Sequence, residues 1–138
     1  MCSSDLPDNV YVEGWGTFCE RLMLDLGWGG PLDRLAHLKK QIENIARTIV
    51  DIRVHTRGMT QEEVTRFVKE DALQGDQLAR NMWVRSITSS PQLTYYYLGY
   101  AAVRGVYDDV RKARGTAFNL REFNDQLMKI GPVAPSEA

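Results

Sequence analysis

Apolar residues recur every three or four positions through nearly the whole chain. No stretch alternates between apolar and polar residues and ends in a hairpin turn, so the pattern predicts helices and no strands. The clearest stripe is Leu32, Leu35, Leu38, Ile42, Ile45, Ile49 and Ile52, one side of a helix expected from about Leu32 to Val54 and facing a partner. A first helix is expected from about Asn9 to Leu26, ended by Gly-Trp-Gly-Gly-Pro. Gly58 is placed to close the second, and Thr60 with Glu63 reads as a capping box opening a third, over Gln61 to Leu73. Gly75 breaks that helix, and a fourth covers about Asp76 to Ile87. Thr-Ser-Ser-Pro-Gln makes a turn before a long fifth helix from Pro91 to Arg114. Asn119 caps a last short helix ending at Gly131-Pro132, and the tail beyond is expected to fray. The predicted fold is all-α, about six helices, with no repeats and no linker long enough to divide domains.

Composition narrows the function classes. The 138 residues suffice for one domain, and 43% hydrophobic with 25% charged residues is ordinary globular usage. A net charge of -1, without a Lys/Arg cluster, gives no footprint for nucleic acid or an anionic membrane. No apolar run is long enough to span a bilayer. Cys2 and Cys19 form neither a CxxC pair nor a metal-ligand spacing. Met-Cys-Ser-Ser-Asp-Leu at the start has no basic or apolar signal region, and its last five residues are also what the end of a common sequencing adaptor encodes in one frame. Residues 1–6 are therefore expected to be a non-native scar or disordered, with residues 7–138 the helical portion proper.

Three groups of residues could carry chemistry. The first is Val-Tyr-Val-Glu-Gly-Trp-Gly-Thr-Phe-Cys-Glu-Arg-Leu at 10–22, where Glu13 stands between apolar positions beside Gly14 and Gly16. A carboxylate turned toward a core is costly unless paired or bound to a cation, and small neighbours suggest that another backbone comes close. Glu20 lies two turns on, on the same face. The bland alternative for Glu13 is a salt bridge to an arginine. The second group is Arg47, Asp51 and His55, at i, i+4 and i+8 of the second helix. Asp51 can pair with Arg47 and accept from the His55 imidazole, fixing its tautomer so that the other nitrogen can act on a substrate; a solvated charge ladder is the alternative. His37 has no such company and is expected at the surface. The third is Tyr95, Tyr96, Tyr97 and Tyr100, with Arg85 upstream. A phenol aimed into a cleft can donate to a developing oxyanion, although buried tyrosines more often fill space. Arg85 suits a substrate carboxylate or an ion pair. No HExxH, GxSxG, GxGxxG or P-loop is present, so no complete catalytic set is recognisable.

Together these stretches resemble the C-terminal part of a bacterial family, domain of unknown function 885, whose members look like gluzincin-type zinc metallopeptidases. The family's A-Y-V-E-G-W-A-L-Y-A-E-R-L is matched without a gap at 10–22. Its R-x-x-x-D-x-x-x-H, then G-[WM]-[ST]-x-E-E, is matched by Arg47, Asp51, His55, Gly58, Thr60, Glu62 and Glu63. Arg85, Gln92, Tyr96 and Gly99 keep the spacing of a later R and P-G-Q-x-x-S-Y-x-x-G, and Phe-Asn-Asp at 123–125 stands where the family has F-H-D. The resemblance implies a zinc ligand at Glu13, substrate-side donors at His55 and Tyr96, supporting residues at Arg47 and Asp51, and a substrate anchor at Arg85. It also implies that the zinc-binding histidines and the general-base glutamate lie upstream, in an N-terminal half of the domain that this sequence lacks. The chain then reads as the C-terminal part of a zincin-like peptidase, with zinc and peptide substrate belonging to a longer parent, and with neither zinc nor activity expected of this piece alone. The resemblance suggests an exported or periplasmic setting, since family members are often exported or lipid-anchored, while the sequence itself leaves the compartment unknown. The alternatives are a self-contained, non-catalytic helical interaction module and, more weakly, an amidase or esterase on the same scaffold.

Overall fold

The computed structural model describes residues 9–131, so residues 1–6 and the tail, for which a scar and fraying were expected, lie outside the described part. Six α-helices occur in the expected order: α1 Asn9–Asp25, α2 Pro31–Arg57, α3 Gln61–Glu70, α4 Asp76–Ser89, α5 Gln92–Arg114 and α6 Leu120–Ile130. No strand occurs among the described residues.

The local signals act where they stand. Gly58 closes α2 in the left-handed region at φ 64°, which costs glycine no Cβ strain. The Thr60 hydroxyl accepts from the Glu63 N–H, and the Glu63 carboxylate accepts from the Thr60 N–H at 2.8 Å. Asn119 accepts from the Glu122 N–H at 3.0 Å and opens α6. Boundaries differ from expectation by up to three residues, and α2 runs on from Val54 to Arg57. Helix α3 ends at Glu70, five residues before Gly75, and α4 continues to Ser89, leaving only Ser90 and Pro91 as its turn into α5.

The helices pack into two apolar clusters. Ala46 and Val50 of α2 meet Val64 and Val68 of α3 and Ala79 and Met82 of α4. Tyr11 and Phe18 of α1 meet Val103 and Tyr107 of α5 and Phe123 and Leu127 of α6. In the second cluster the Tyr107 ring stands edge-on to Phe118 and Phe123, with centroids 5.4 Å away in each case, a favoured aromatic geometry. Helix α2 folds back along α1, as shown by the Arg34 guanidinium donating to the Leu24 carbonyl at 2.7 Å. It then continues past α5 into the first cluster, so α2 and α5 tie the two together.

The long stripe on α2 has no covering partner among the described residues. Leu32 is 80% exposed and Leu35 63%, and Leu38, Ile42, Ile45 and Ile52 are all exposed. Residues between stripe positions, His37, Asn44, Ala46, Thr48, Val50 and Asp51, are the ones α2 buries. No helix among the described residues is long and apolar enough to cross a membrane.

Candidate functional site

The candidate residues stand on α1, α2, α4 and α5, and the contacts join them in pairs: His55 to Ser86, Arg47 to Tyr96, and α1 to α5 beside Glu13. The last of these is the crossing of α1 and α5 at Gly14 and Gly99. A Cβ on Gly14 would sit 2.2 Å from the Gly99 carbonyl carbon, and one on Gly99 would sit 2.1 Å from the Val10 carbonyl oxygen. Real Cβ atoms do not approach that closely, so only glycine fits at either place. The close backbone suggested by small residues is therefore present at Gly14. It is not present at Gly16, where a Cβ would meet no atom within 4 Å.

Glu13 directly precedes this crossing. It is half-buried, its backbone carbonyl accepts from the Thr17 hydroxyl at 2.9 Å, and its carboxylate has no hydrogen bond or ion pair among the described residues. The salt-bridge alternative thus finds no arginine here. Cys19, further along α1, is held protonated by burial, which raises its thiol pKa and makes it a packing residue.

His55 is oriented through backbone. Its Nε2 lies 2.9 Å from the Ser86 carbonyl, and a carbonyl can only accept, so Nε2 carries the proton and Nδ1 is left for other work. Ser86 belongs to the last turn of α4, whose carbonyls have no intrahelical donor. The imidazole fills that vacancy and lies at the helix end where positive charge is favoured. Asp51 Oδ1 is 3.5 Å from the same Nε2. Asp51 is 2% exposed and this oxygen has no hydrogen bond among the described residues, so the contact is electrostatic.

Arg47 does not pair with Asp51, contrary to expectation. Its guanidinium meets Glu43 at 2.5 Å and Asn44 at 3.4 Å and lies over the Tyr96 ring, 5.2 Å from its centroid. The reason is local: Glu43 is four residues N-terminal to Arg47, the favoured order for an ion pair on a helix, and its side chain keeps 14% exposure where Asp51 keeps 2%, so pairing with Glu43 costs less desolvation. Arg47 therefore supports Tyr96, while Asp51 supports His55. The Tyr96 ring is half-buried and its hydroxyl has no hydrogen bond among the described residues. Arg85 donates to the Gln92 side chain at 3.2 Å and meets no carboxylate among the described residues.

His37, expected at the surface, is buried at 8% exposure. The Gln41 amide nitrogen lies 3.3 Å from its Nε2, and Nδ1 faces Glu20 at 3.9 Å. Burial lowers its pKa, with Glu20 acting in the opposite direction. Sequence reasoning missed it because burial at this position comes from the fold-back of α2 on α1. The sequence likewise gave no sign of Ser86, which acts through a main-chain atom.

Among the described residues no three His, Cys, Asp or Glu side chains converge as a metal site. Glu13 alone does not make a zinc centre, which needs three or four protein ligands. The open hollow along α3 and the smaller one beside Arg53, Arg57 and Arg66 have none of Glu13, His55 or Tyr96 in their walls.

A comparison with curated proteins finds no match. Among solved structures, the chain is similar to "a putative lipoprotein of unknown function" from Shewanella oneidensis, with 30% identity and a TM-score of 0.89. That match covers 94% of this chain but 24% of the other, so the chain spans about a quarter of the relative's length. The model of a bacterial family of unknown function, DUF885, matches residues 6–137, and the chain belongs to that family.

Proposed function

We propose that this chain is the C-terminal helical part of a zinc peptidase-like hydrolase acting on peptides. The observation that carries the reading is Glu13: a half-buried carboxylate without a partner among the described residues, fixed by a backbone crossing that permits only glycine. In a longer parent, Glu13 supplies one ligand to zinc, and the remaining ligands and the general base come from outside this chain.

The other residues have distinct tasks in that reading. The Tyr96 hydroxyl donates to the oxyanion that develops when the peptide carbonyl becomes tetrahedral. His55 presents Nδ1 to the substrate side, where it accepts when the ring is neutral and donates only as imidazolium. Arg47 steadies the Tyr96 ring, and Asp51 and the Ser86 carbonyl hold the His55 tautomer. Arg85 offers a guanidinium to a substrate carboxylate.

The test is made on a full-length family member carrying these residues. Its purified protein is expected to hold one zinc per chain and to cleave peptides. Replacement of the position matching Glu13 by Gln should abolish both. Unchanged metal content and activity in that variant would remove the assignment. The chain by itself is expected to hold no stoichiometric zinc and to show no peptidase activity. A screen of amide and ester substrates on the full-length protein separates a peptidase from an amidase or esterase. The description of the Shewanella relative as a lipoprotein accords with an exported setting, which fractionation of the native host checks. A self-contained interaction module is disfavoured, because its apolar faces would have to be satisfied internally and the α2 stripe is not.

A further inference from the structure

The exposed face of α2 has finer order than simple amphipathicity. Leu35, Leu38, Ile42, Ile45, Ile49 and Ile52, all exposed except the half-buried Ile49, are spaced three, four, three, four and three residues apart, which is the a/d pattern of a coiled-coil seam. The seam with Leu32 is roughly 30 Å long at 1.5 Å per residue, enough for a full helix to lie along it. Apolar exposure continues at its N-terminal end onto Leu26, 57% exposed, and Trp28, 66% exposed. Helix α2 turns His37, Asn44 and Asp51 to the protein interior, on the side away from the seam, so the seam lies apart from the candidate site.

The flanks of the seam decide between occupants. In this register the flanking charged positions are Arg34, Lys39 and Arg53, and no acidic residue stands among them. A second copy of the chain would bring basic flank against basic flank, which opposes pairing. A helix with its own leucine or isoleucine stripe and with aspartate or glutamate on its edges would meet both requirements. The Shewanella relative keeps this fold at a TM-score of 0.89 while the match covers 24% of its chain, so most of that protein lies outside the matched part.

We infer that the α2 seam is the docking face for an acidic-edged amphipathic helix belonging to the remaining part of the family domain. This inference rests on the reading of the chain as part of a longer protein. It assigns that contact to the outer face of α2, with knobs-into-holes packing on Ile42 and Ile45.

The test uses this chain and, expressed separately, the part of a full-length family member that precedes the matching region. Sedimentation equilibrium and binding of a dye selective for exposed apolar surface are followed for the wild type, for Ile42→Glu/Ile45→Glu, and for the control Leu73→Glu, an exposed residue outside the seam. The expected result is a 1:1 complex that suppresses dye binding, weakened at least 100-fold by the double substitution and within threefold of wild type for the control. A discrete homodimer of the chain that the double substitution dissolves would overturn the inference in favour of self-association. Absence of a complex, or one indifferent to the double substitution, would also overturn it. Should the separate pieces fail to fold, the paired substitution is made at the matching positions of the full-length protein. There a drop in melting temperature larger than for the control supports the inference, and an equal or smaller drop overturns it. None of these readouts involves zinc or peptide cleavage, so the docking face and the peptidase assignment can fail separately.

Discussion

Gly14 and Gly99 meet backbone to backbone, with room for no side chain between them: a Cβ on the first would lie 2.5 Å from the Cα of the second. Two consequences follow for substitution. Gly14→Ala or Gly99→Ala forces the helices apart along the largest interface of the second cluster and should cost about 3 kcal/mol, the upper end for overpacking. Gly16→Ala, two residues away and facing open space, should be neutral or stabilise α1 by about 0.5–1 kcal/mol through helix propensity. Urea unfolding of the three variants measures this, and equal effects at positions 14 and 16 would contradict the crossing.

His55 should be the Nε2–H tautomer whenever it is neutral, because Ser86 offers it a carbonyl. Long-range proton–nitrogen correlation spectra distinguish the two tautomers directly. His55→Ala leaves that carbonyl without its donor and should cost about 1 kcal/mol. A proton found on Nδ1 in the neutral ring would refute the arrangement.

Asp51 is a stability liability kept in place. Its buried Oδ1 has no hydrogen bond among the described residues. Asp51→Asn removes the charge while preserving shape and should leave stability unchanged or raise it by about 1 kcal/mol at neutral pH. A loss of several kcal/mol would mean that the carboxylate is satisfied in solution by a contact absent from this structure.

His37 makes stability depend on pH in a definite direction. Burial holds its folded-state pKa below the ordinary value of 6.5. As pH falls through that value the unfolded chain takes up a proton that the folded chain resists, so stability should decrease from there down to the lower folded-state pKa. Above it both states are neutral and this contribution is flat. His37→Gln should remove the slope, as read from urea midpoints between pH 7.5 and about 5.

The sequence carried the parts of the fold that are set locally. The Thr60–Glu63 box, the Gly58 closure and the Asn119 cap each depend on residues within one turn, and each is found where the pattern placed it. The family resemblance was legible for the same reason, since its motifs are short and in order. Partners chosen across space were not legible. Arg47 had two acidic candidates at helical spacing, and the choice of Glu43 over Asp51 depends on which of them the neighbouring helices bury. Gly14 and Gly16 look alike in sequence, and only the path of α5 separates them. Periodicity marked the α2 stripe as a contact face, but it could not say that no element among the described residues covers it.

The two apolar clusters are tied together by α2 and α5, and this makes damage to the molecule lopsided. A defect at Val64 or Val68 loosens the end of α2 that bears the imidazole, while the far side, pinned by interlocked glycines, keeps its shape. Inherited lesions in α3 should therefore blunt the histidine's aim long before they disturb the glutamate, although α3 contributes no reactive group of its own.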